Sequence, residues 1–544
     1  MSAESSGKKG RFSSLLRASS GVAFATFCSR VLGLLRVRLE AMVLGGGEIA
    51  SGWFLAFAIP NLLRRILGEG ALGNALMPLV AEFDAQGGKE KIRKELGTVF
   101  FVLGVILAGI VILVSGTILL LNKSGLLDGV AFFSSERMRF VLTYLPLLMP
   151  YGFFMCLVGV ASSVLNYCKE FFLPALGALL LNIFLISGLG AAYFLRVQDV
   201  RQVIGMLTLL VLLSGFIQLL LMLFLMHRNG TFPLLRVMAG FAGFKSATVK
   251  KLFTIALPGM IGGIAVQISF LVDRLLAVSL GAQAVPALTF IDRLIDLPIG
   301  IFAVSLGSVL MASMSRSAAQ GDMGKMVEEL GFSMRQVFFF CVPMAAGVMF
   351  FHRPLMSVLC LGGRYTVSDL YAAEMVALFY GAGIPVFCLL KVINPAFYSR
   401  KNMKTPLAAS CCAIVVNIVL NLILMRYLQQ GGIALATVVA AVVNCTILCG
   451  VLRKNKLLPP LFPLVVSLIR AVFCAVVSVG GVYEIYEASR YVKTDWGSAV
   501  IDLAVTAGLF GVFYIGLSAL FKSPELRELA GMFLHRGNKK VTEK

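Results

Sequence analysis

Charged side chains are scarce in this sequence, at 14% of 544 residues against 59% hydrophobic ones, and the mean hydropathy is +0.91. That balance excludes a soluble globular chain and describes a polytopic membrane protein. Histidine occurs three times and tryptophan twice. There is no CxxC pair and no histidine cluster, so the 11 cysteines, several inside apolar runs (Cys411, Cys412, Cys445, Cys449), read as small buried hydrophobes and not as a disulfide framework or metal site. No GxxxxGK[ST] phosphate loop is present, which removes direct ATP drive. No DDxxD-like acidic cluster is present either, which argues against a membrane transferase.

What is there is a succession of apolar stretches of about 20 residues separated by short polar punctuation. Because backbone in lipid must satisfy its own hydrogen bonds, the expected fold is all-α. Fourteen spans are expected, near 19–44, 53–82, 97–121, 138–165, 172–194, 203–226, 251–278, 284–313, 331–351, 370–397, 406–425, 432–452, 461–486 and 498–521. The net charge of +21 lies mostly in connections, as positive-inside orientation requires, so nucleic acid is not the expected partner. With the N-terminus inside, the even connections should be basic. Lys89, Lys91, Arg93 and Lys94 follow span two; Arg228, Arg236, Lys245, Lys250 and Lys251 follow span six; Arg400, Lys401 and Lys404 follow span ten; Arg453, Lys454 and Lys456 follow span twelve. Both termini are then expected in the cytoplasm, with residues 1–18 a basic tail carrying no signal-peptide cleavage signature.

An internal repeat organises the spans. LGNALM (Leu72–Met77) is echoed by LGSVLM (Leu306–Met311), and Ala85-Gln86-Gly87 by Ala319-Gln320-Gly321, both 234 residues apart. Tyr167–Pro174 (YCKEFFLP) is echoed by Tyr398–Pro406 (YSRKNMKTP) at nearly the same offset. The expectation is two pseudo-symmetric six-helix lobes, 19–230 and 231–456, as parallel repeats around a substrate path. Spans thirteen and fourteen, within 457–521, form an appendage, and 522–544 a second cytoplasmic tail.

The central stretch is Phe57–Phe83, an apolar run that carries Arg64, Arg65 and Glu69 far from either end. Each such charge costs on the order of 2.5–3.5 kcal/mol on an insertion scale, so it is expected to face protein or a water-filled cavity. Arg30 lies about 11 residues, or roughly 16 Å, into span one. Arg293 lies ~9 residues into span eight, flanked by Asp292 and Asp296. Arg36 and Glu40, like Arg65 and Glu69, are i,i+4 neighbours that can neutralise one another. Basic residues outnumber acids at this depth, and the planar fork of arginine suits phosphate, so an anionic substrate is expected; interhelical ion pairs that fix packing are the structural alternative. Pro60, Gly68, Gly70 and Gly73 in span two, and Pro298 and Gly300 in span eight, place helix breakers at matching points of the two halves, as hinges or as sites of close packing.

SRVLGLLR (Ser29–Arg36), IPNLLRRILGEGAL (Ile59–Leu72), DRLIDLP (Asp292–Pro298) and FYSRKNMKTP (Phe397–Pro406) closely resemble the MurJ/MviN family of lipid II flippases, within the multidrug/oligosaccharidyl-lipid/polysaccharide exporter superfamily. The similarity runs in matching order from about Ser20 to Lys456. It implies two six-helix lobes, two further C-terminal helices that form a groove for the lipid tail, and a cationic cavity. The implied activity is movement of undecaprenyl-diphosphate-linked MurNAc-pentapeptide-GlcNAc across the bacterial inner membrane. Family residues important for transport match Arg30, Arg36, Arg64, Arg65, Glu69 and Arg293. The resemblance also implies membrane lipids and other cell-wall synthesis proteins as partners, no enzymatic step and no cofactor, with sodium or protons as candidate coupling ions. Two departures stand out: Val37 and Gly52 occupy places where the family usually has acids.

A second constellation is Asp273 near the outer end of span seven with Asn417, Asn421 and Thr437 in spans eleven and twelve, whose oxygens suit an alkali cation and resemble a sodium site of some family members. The structural alternative is a surface pair of Asp273 with Arg274, plus Asn and Thr packing between helices. Other functional readings are a flippase for another polyprenyl-linked oligosaccharide, a cation-coupled drug exporter, which would want acids where this chain has arginines, and a non-transporting scaffold, which would tolerate loss of Arg30 and Arg64.

Overall fold

The computed structural model describes residues 28–68, 71–126, 131–234, 243–483, 487 and 496–528. Among them the regular structure is helical, with one isolated bridge between Gly362 and Tyr365. The chain divides into two compact units, Met1–Pro286 and Ala287–Lys544.

The first unit begins with α1 (28–44), α2 (Glu48–Leu63) and a π-helical stretch, Arg64–Gly68. α3 (Ala71–Ser124) breaks at Gly87 and at Gly88, whose φ of 58° belongs to the left-handed region that glycine adopts without penalty. It is therefore two helices joined at a tight turn, in agreement with a connection between spans two and three. α4 (Glu136–Tyr167) packs against α2, α3 and α6 (Val200–Arg228), and α5 (Phe172–Phe194) packs on α6. α7 (Ala247–Val278), which the sequence repeat assigns to the second lobe, lies against α2, α3 and the π-helical stretch in this unit.

The division of the chain falls in the first turn of α8 (Ala284–Pro298), which continues through a second π-helical stretch, Ile299–Ala303, into α9 (Val304–Ala319). The two π-helical stretches start 235 residues apart, one residue from the offset of the sequence echoes. Both lie C-terminal to a proline, Pro60 and Pro298, neither of which can donate a helix hydrogen bond. α10 (Met323–Phe350), α11 (His352–Leu359), α12 (Val367–Tyr398), α13 (Lys404–Lys454), α14 (Leu461–Gly481) and α15 (Trp496–Leu520) complete the unit. α12 packs on α10 and α13, and α14 packs on α10 and α15. α13 is again two helices, broken at Gln429 with φ 48°.

Nine of the described helices are long and apolar enough to cross a membrane. Two of these, over Ala75–Ser124 and Lys404–Lys454, run through more than one expected span, and expected spans 53–82 and 284–313 are interrupted by the π-helical stretches, so the count differs from fourteen. Their outward residues are large and apolar, for example Ile112, Leu113, Leu120, Phe194 and Leu209, each more than two-thirds exposed. In water such a surface would aggregate; in a bilayer it is solvated by lipid tails. The chain is a multi-pass membrane protein.

Candidate functional site

α1 and α2 present the arginines of the first unit. Arg30 is half-buried on α1. Two turns later Arg36 lies with its Nε 3.5 Å from the Glu40 carboxylate, the i,i+4 pair expected, and its Nη1 donates to Asn182 Oδ1 on α5 at 2.9 Å. Asn182 in turn donates to the Ser29 carbonyl at 3.4 Å. Glu40 is only 2% exposed, so its charge is confined to this pair and its protein surroundings. The result is a fixed guanidinium, not one free to swing to the membrane interface.

Arg64 opens the π-helical stretch, and its Nε donates to Asn61 Oδ1, one turn earlier, at 2.8 Å. Tyr151 of α4, 1% exposed, lies within electrostatic reach of both Arg36 and Arg64. Arg65 is exposed and places its guanidinium 5.7 Å from the centre of the Phe270 ring on α7, while Arg274 sits 4.7 Å from the same ring. One aromatic ring therefore meets two cations, a stabilisation of about 0.5–2 kcal/mol each depending on desolvation. Glu69 lies outside the described residues, so the expected Arg65–Glu69 pair does too. In the second unit Arg293 and Asp292 are half-buried on α8, and Asp296 is exposed.

Asn61, Tyr151, Asn182 and Phe270 did not stand out in the sequence. Asn61 and Asn182 carried a signal, each a lone amide in an apolar run (PNLL, LLLNIF). For Tyr151 and Phe270 nothing in the local pattern distinguishes them from core aromatics.

The departures at Val37 and Gly52 acquire a physical reason. Val37 is 2% exposed, packed where a carboxylate would be desolvated. A Cβ at Gly52 would lie 2.9 Å from the Arg137 carbonyl oxygen and 3.0 Å from Phe140 Cβ, so α2 and α4 approach too closely for a side chain there. The acidic contact between these helices comes one turn earlier, from Glu48 to Arg137 Nε at 3.1 Å.

The second constellation is partly assembled. Asn421 donates to Asn417 Oδ1 and Asn417 donates to Thr437 Oγ1, both at 3.2 Å, and the Thr437 hydroxyl donates to the Ile433 carbonyl at 3.0 Å. Asn417 and Asn421 are buried. This chain clasps the two halves of α13 across its break, which is the interhelical hydrogen bonding that apolar surroundings favour. Asp273 belongs to the first unit. It and Arg274 are 6% and 3% exposed, so both are buried and not at the surface as expected. The described residues hold no group of three His, Cys, Asp or Glu able to bind a metal.

The profile described as "Lipid II flippase MurJ" matches residues 41–503. A Vibrio cholerae protein described as a probable lipid II flippase MurJ is 30% identical over 442 residues, covering 80% of this chain and 82% of that one. Among solved structures, a lipid II flippase MurJ in an inward closed conformation matches with a TM-score of 0.75 at 22% identity over 94% of this chain and 99% of that one. An inward-facing multidrug resistance MATE family transporter of the MOP superfamily matches at a TM-score of 0.63 and 15% identity over 79% of this chain and 95% of that one, a likeness of fold alone. With a charged, arginine-bearing core in a multi-pass helical fold, and a profile match across most of its length, this chain belongs to the MurJ lipid II flippase family.

Proposed function

We propose that this protein moves lipid II from the cytoplasmic to the periplasmic leaflet of the bacterial inner membrane by alternating access, with both of its termini in the cytoplasm. The observation that carries this reading is the fixing of two guanidiniums within a membrane-spanning fold, Arg36 by Asn182 and Arg64 by Asn61. Guanidiniums held in place offer a diphosphate charge-assisted hydrogen bonds with little reorganisation. Moving that head group through hydrocarbon alone would strip its water without replacement, and fixed donors replace it. Arg30, Arg65 and Arg293, with Glu69 as a balancing acid, complete the proposed binding set. The polyprenyl tail stays in lipid, beside the apolar helices α14 and α15. No bond is made or broken. The membrane potential, worth ~2.3 kcal/mol per charge per 100 mV, biases net charge movement, and sodium or protons are the candidate coupling ions.

A drug exporter of the same superfamily is the second reading, supported by the likeness of fold to the MATE transporter. Cationic drugs would require acids where Arg36, Arg64 and Arg65 stand. The test uses a bacterium depleted of its own flippase and sustained by this chain, in which radiolabelled lipid II is exposed to a cleaving enzyme confined outside the membrane. Cleavage with the wild type, lost on Arg30→Ala or Arg64→Ala at matched expression, is the expected result. Cleavage that survives both substitutions overturns the role of the arginines, and its absence from the wild type overturns the substrate.

A further inference from the structure

Lys391 sits on α12 in the apolar run LLKVINPAF, seven residues before the helix ends at Tyr398 and so on the order of 10 Å inside it at 1.5 Å per residue. Its side chain is exposed, and it makes no ion pair or hydrogen bond with the described residues. The helix around it is closed: Cys388, Val392 and Ile393 are 0% exposed. One turn on, Asn394 has a buried Oδ1 that accepts no hydrogen bond among the described residues. Lys391 and Asn394 thus form a polar stripe with exposed Tyr398.

The internal repeat sharpens the point. The echo of Tyr167 by Tyr398 pairs Lys391 with Val160 and Asn394 with Ser163. Val160 is 1% exposed, and Ser163 closes its own hydrogen bond to the Gly159 carbonyl at 3.1 Å. The first unit therefore has a packed aliphatic and a satisfied hydroxyl where the second has an exposed ammonium and an unsatisfied amide oxygen. The backbone around them is held in a corresponding way: a Cβ at Gly73 would strike Ser163 Oγ, and one at Gly307, its echo, would lie 2.7 Å from the Lys391 carbonyl oxygen. The fold is repeated and the chemistry is not. A charge at this depth is costly against lipid tails, and it is kept where water or a ligand solvates it.

We infer that Lys391 is a substrate-contacting residue of the second unit, its ammonium holding an oxyanion of the transported head group. The inference rests on the flippase reading. The oxyanion is a phosphate or a peptide carboxylate, two sources with one chemistry. The competing account is a stem lying along α12 with its ammonium at the interface, in which case the methylenes matter more than the charge.

Lys391→Cys separates these accounts in the depleted strain, with external cleavage of lipid II as the readout. Wild type treated with the same reagents controls for the native cysteines. Transport is expected to fall about tenfold, as for loss of one charge-assisted contact. It returns after aminoethyl methanethiosulfonate, which restores an ammonium, and does not return after the neutral methyl reagent or the anionic sulfonatoethyl one; Lys391→Arg retains transport. Binding of undecaprenyl diphosphate to the purified variant then assigns the source: weakened binding marks a phosphate contact, while binding that weakens only for complete lipid II marks the peptide. Unchanged transport by Lys391→Cys, or equal rescue by neutral and ammonium reagents, overturns the inference while leaving the flippase reading intact. A wild type without cleavage overturns that reading, and this one with it.

Discussion

Gly52 offers a sharp test of how α2 and α4 are packed. Replacing it with Ala adds a single Cβ that would sit 2.9 Å from the Arg137 carbonyl oxygen and 3.0 Å from Phe140 Cβ and Cδ1. The carbonyl belongs to helix backbone and cannot rotate away, so the helices must part by a few tenths of an ångström along a contact that buries Trp53, Phe54 and Leu55. Overpacking of this kind costs typically ~1–3 kcal/mol. At roughly 2–4 °C per kcal/mol for a unit of this size, the unfolding midpoint should fall by several degrees. Gly52→Asp should cost more, because its carboxylate would face a carbonyl oxygen while Arg137 is already engaged by Glu48. The assay is the temperature at which the detergent-solubilised protein loses its monodisperse elution peak, read for wild type, Gly52→Ala, Gly52→Asp and Glu48→Gln. If Gly52→Ala is as stable as wild type, or if Gly52→Asp restores what Glu48→Gln loses, the account of glycine as a packing requirement, with Glu48 supplying the acidic contact, is wrong.

Other outcomes follow from the same geometry. Glu525, 2% exposed, is pushed up by burial but brought below its ordinary 4.5 by the Ser523 hydroxyl at 2.6 Å and by Arg470 at 3.5 Å. A lowered carboxylate pKa stabilises the fold above the unfolded value and loses that contribution as pH falls through the folded one, so Glu525→Gln should flatten the loss of thermal stability below about pH 4.5 and leave its neutral-pH slope unchanged. Asn421→Leu should lower stability by about 0.6–1.7 kcal/mol through the hydrogen-bond chain of α13. If the chain is only a clasp, its transport in proteoliposomes will respond to sodium as wild type does; a selective loss of sodium response would support the cation-site reading. Gly97→Ala should be among the most damaging small substitutions, because its Cβ would strike the Leu234 carbonyl, and protease cutting near residue 234 should report the displaced connection.

The all-helical, membrane-spanning character was written in composition, because lipid leaves the backbone no other way to satisfy itself and a long apolar run has no other solvent. The echoed hexapeptides have a structural counterpart in two π-helical stretches that start 235 residues apart. The Arg36–Glu40 pair was legible too, since it needs only the spacing of one helix turn. What spacing within a segment cannot carry is contact across segments. That Arg36 is tied to Asn182, 146 residues away, that Arg65 and Arg274 share one phenylalanine, and that Asp273 and Arg274 are both buried depend on which helix faces which. Near-uniform hydrophobicity around each helix hides those faces, since lipid-facing and protein-facing residues are chosen from the same apolar set. The same limit explains Gly52 and Lys391: one reads as an ordinary small residue and the other as an ordinary stray charge, until the neighbouring backbone shows that no side chain fits at the first and that none of the described residues neutralises the second.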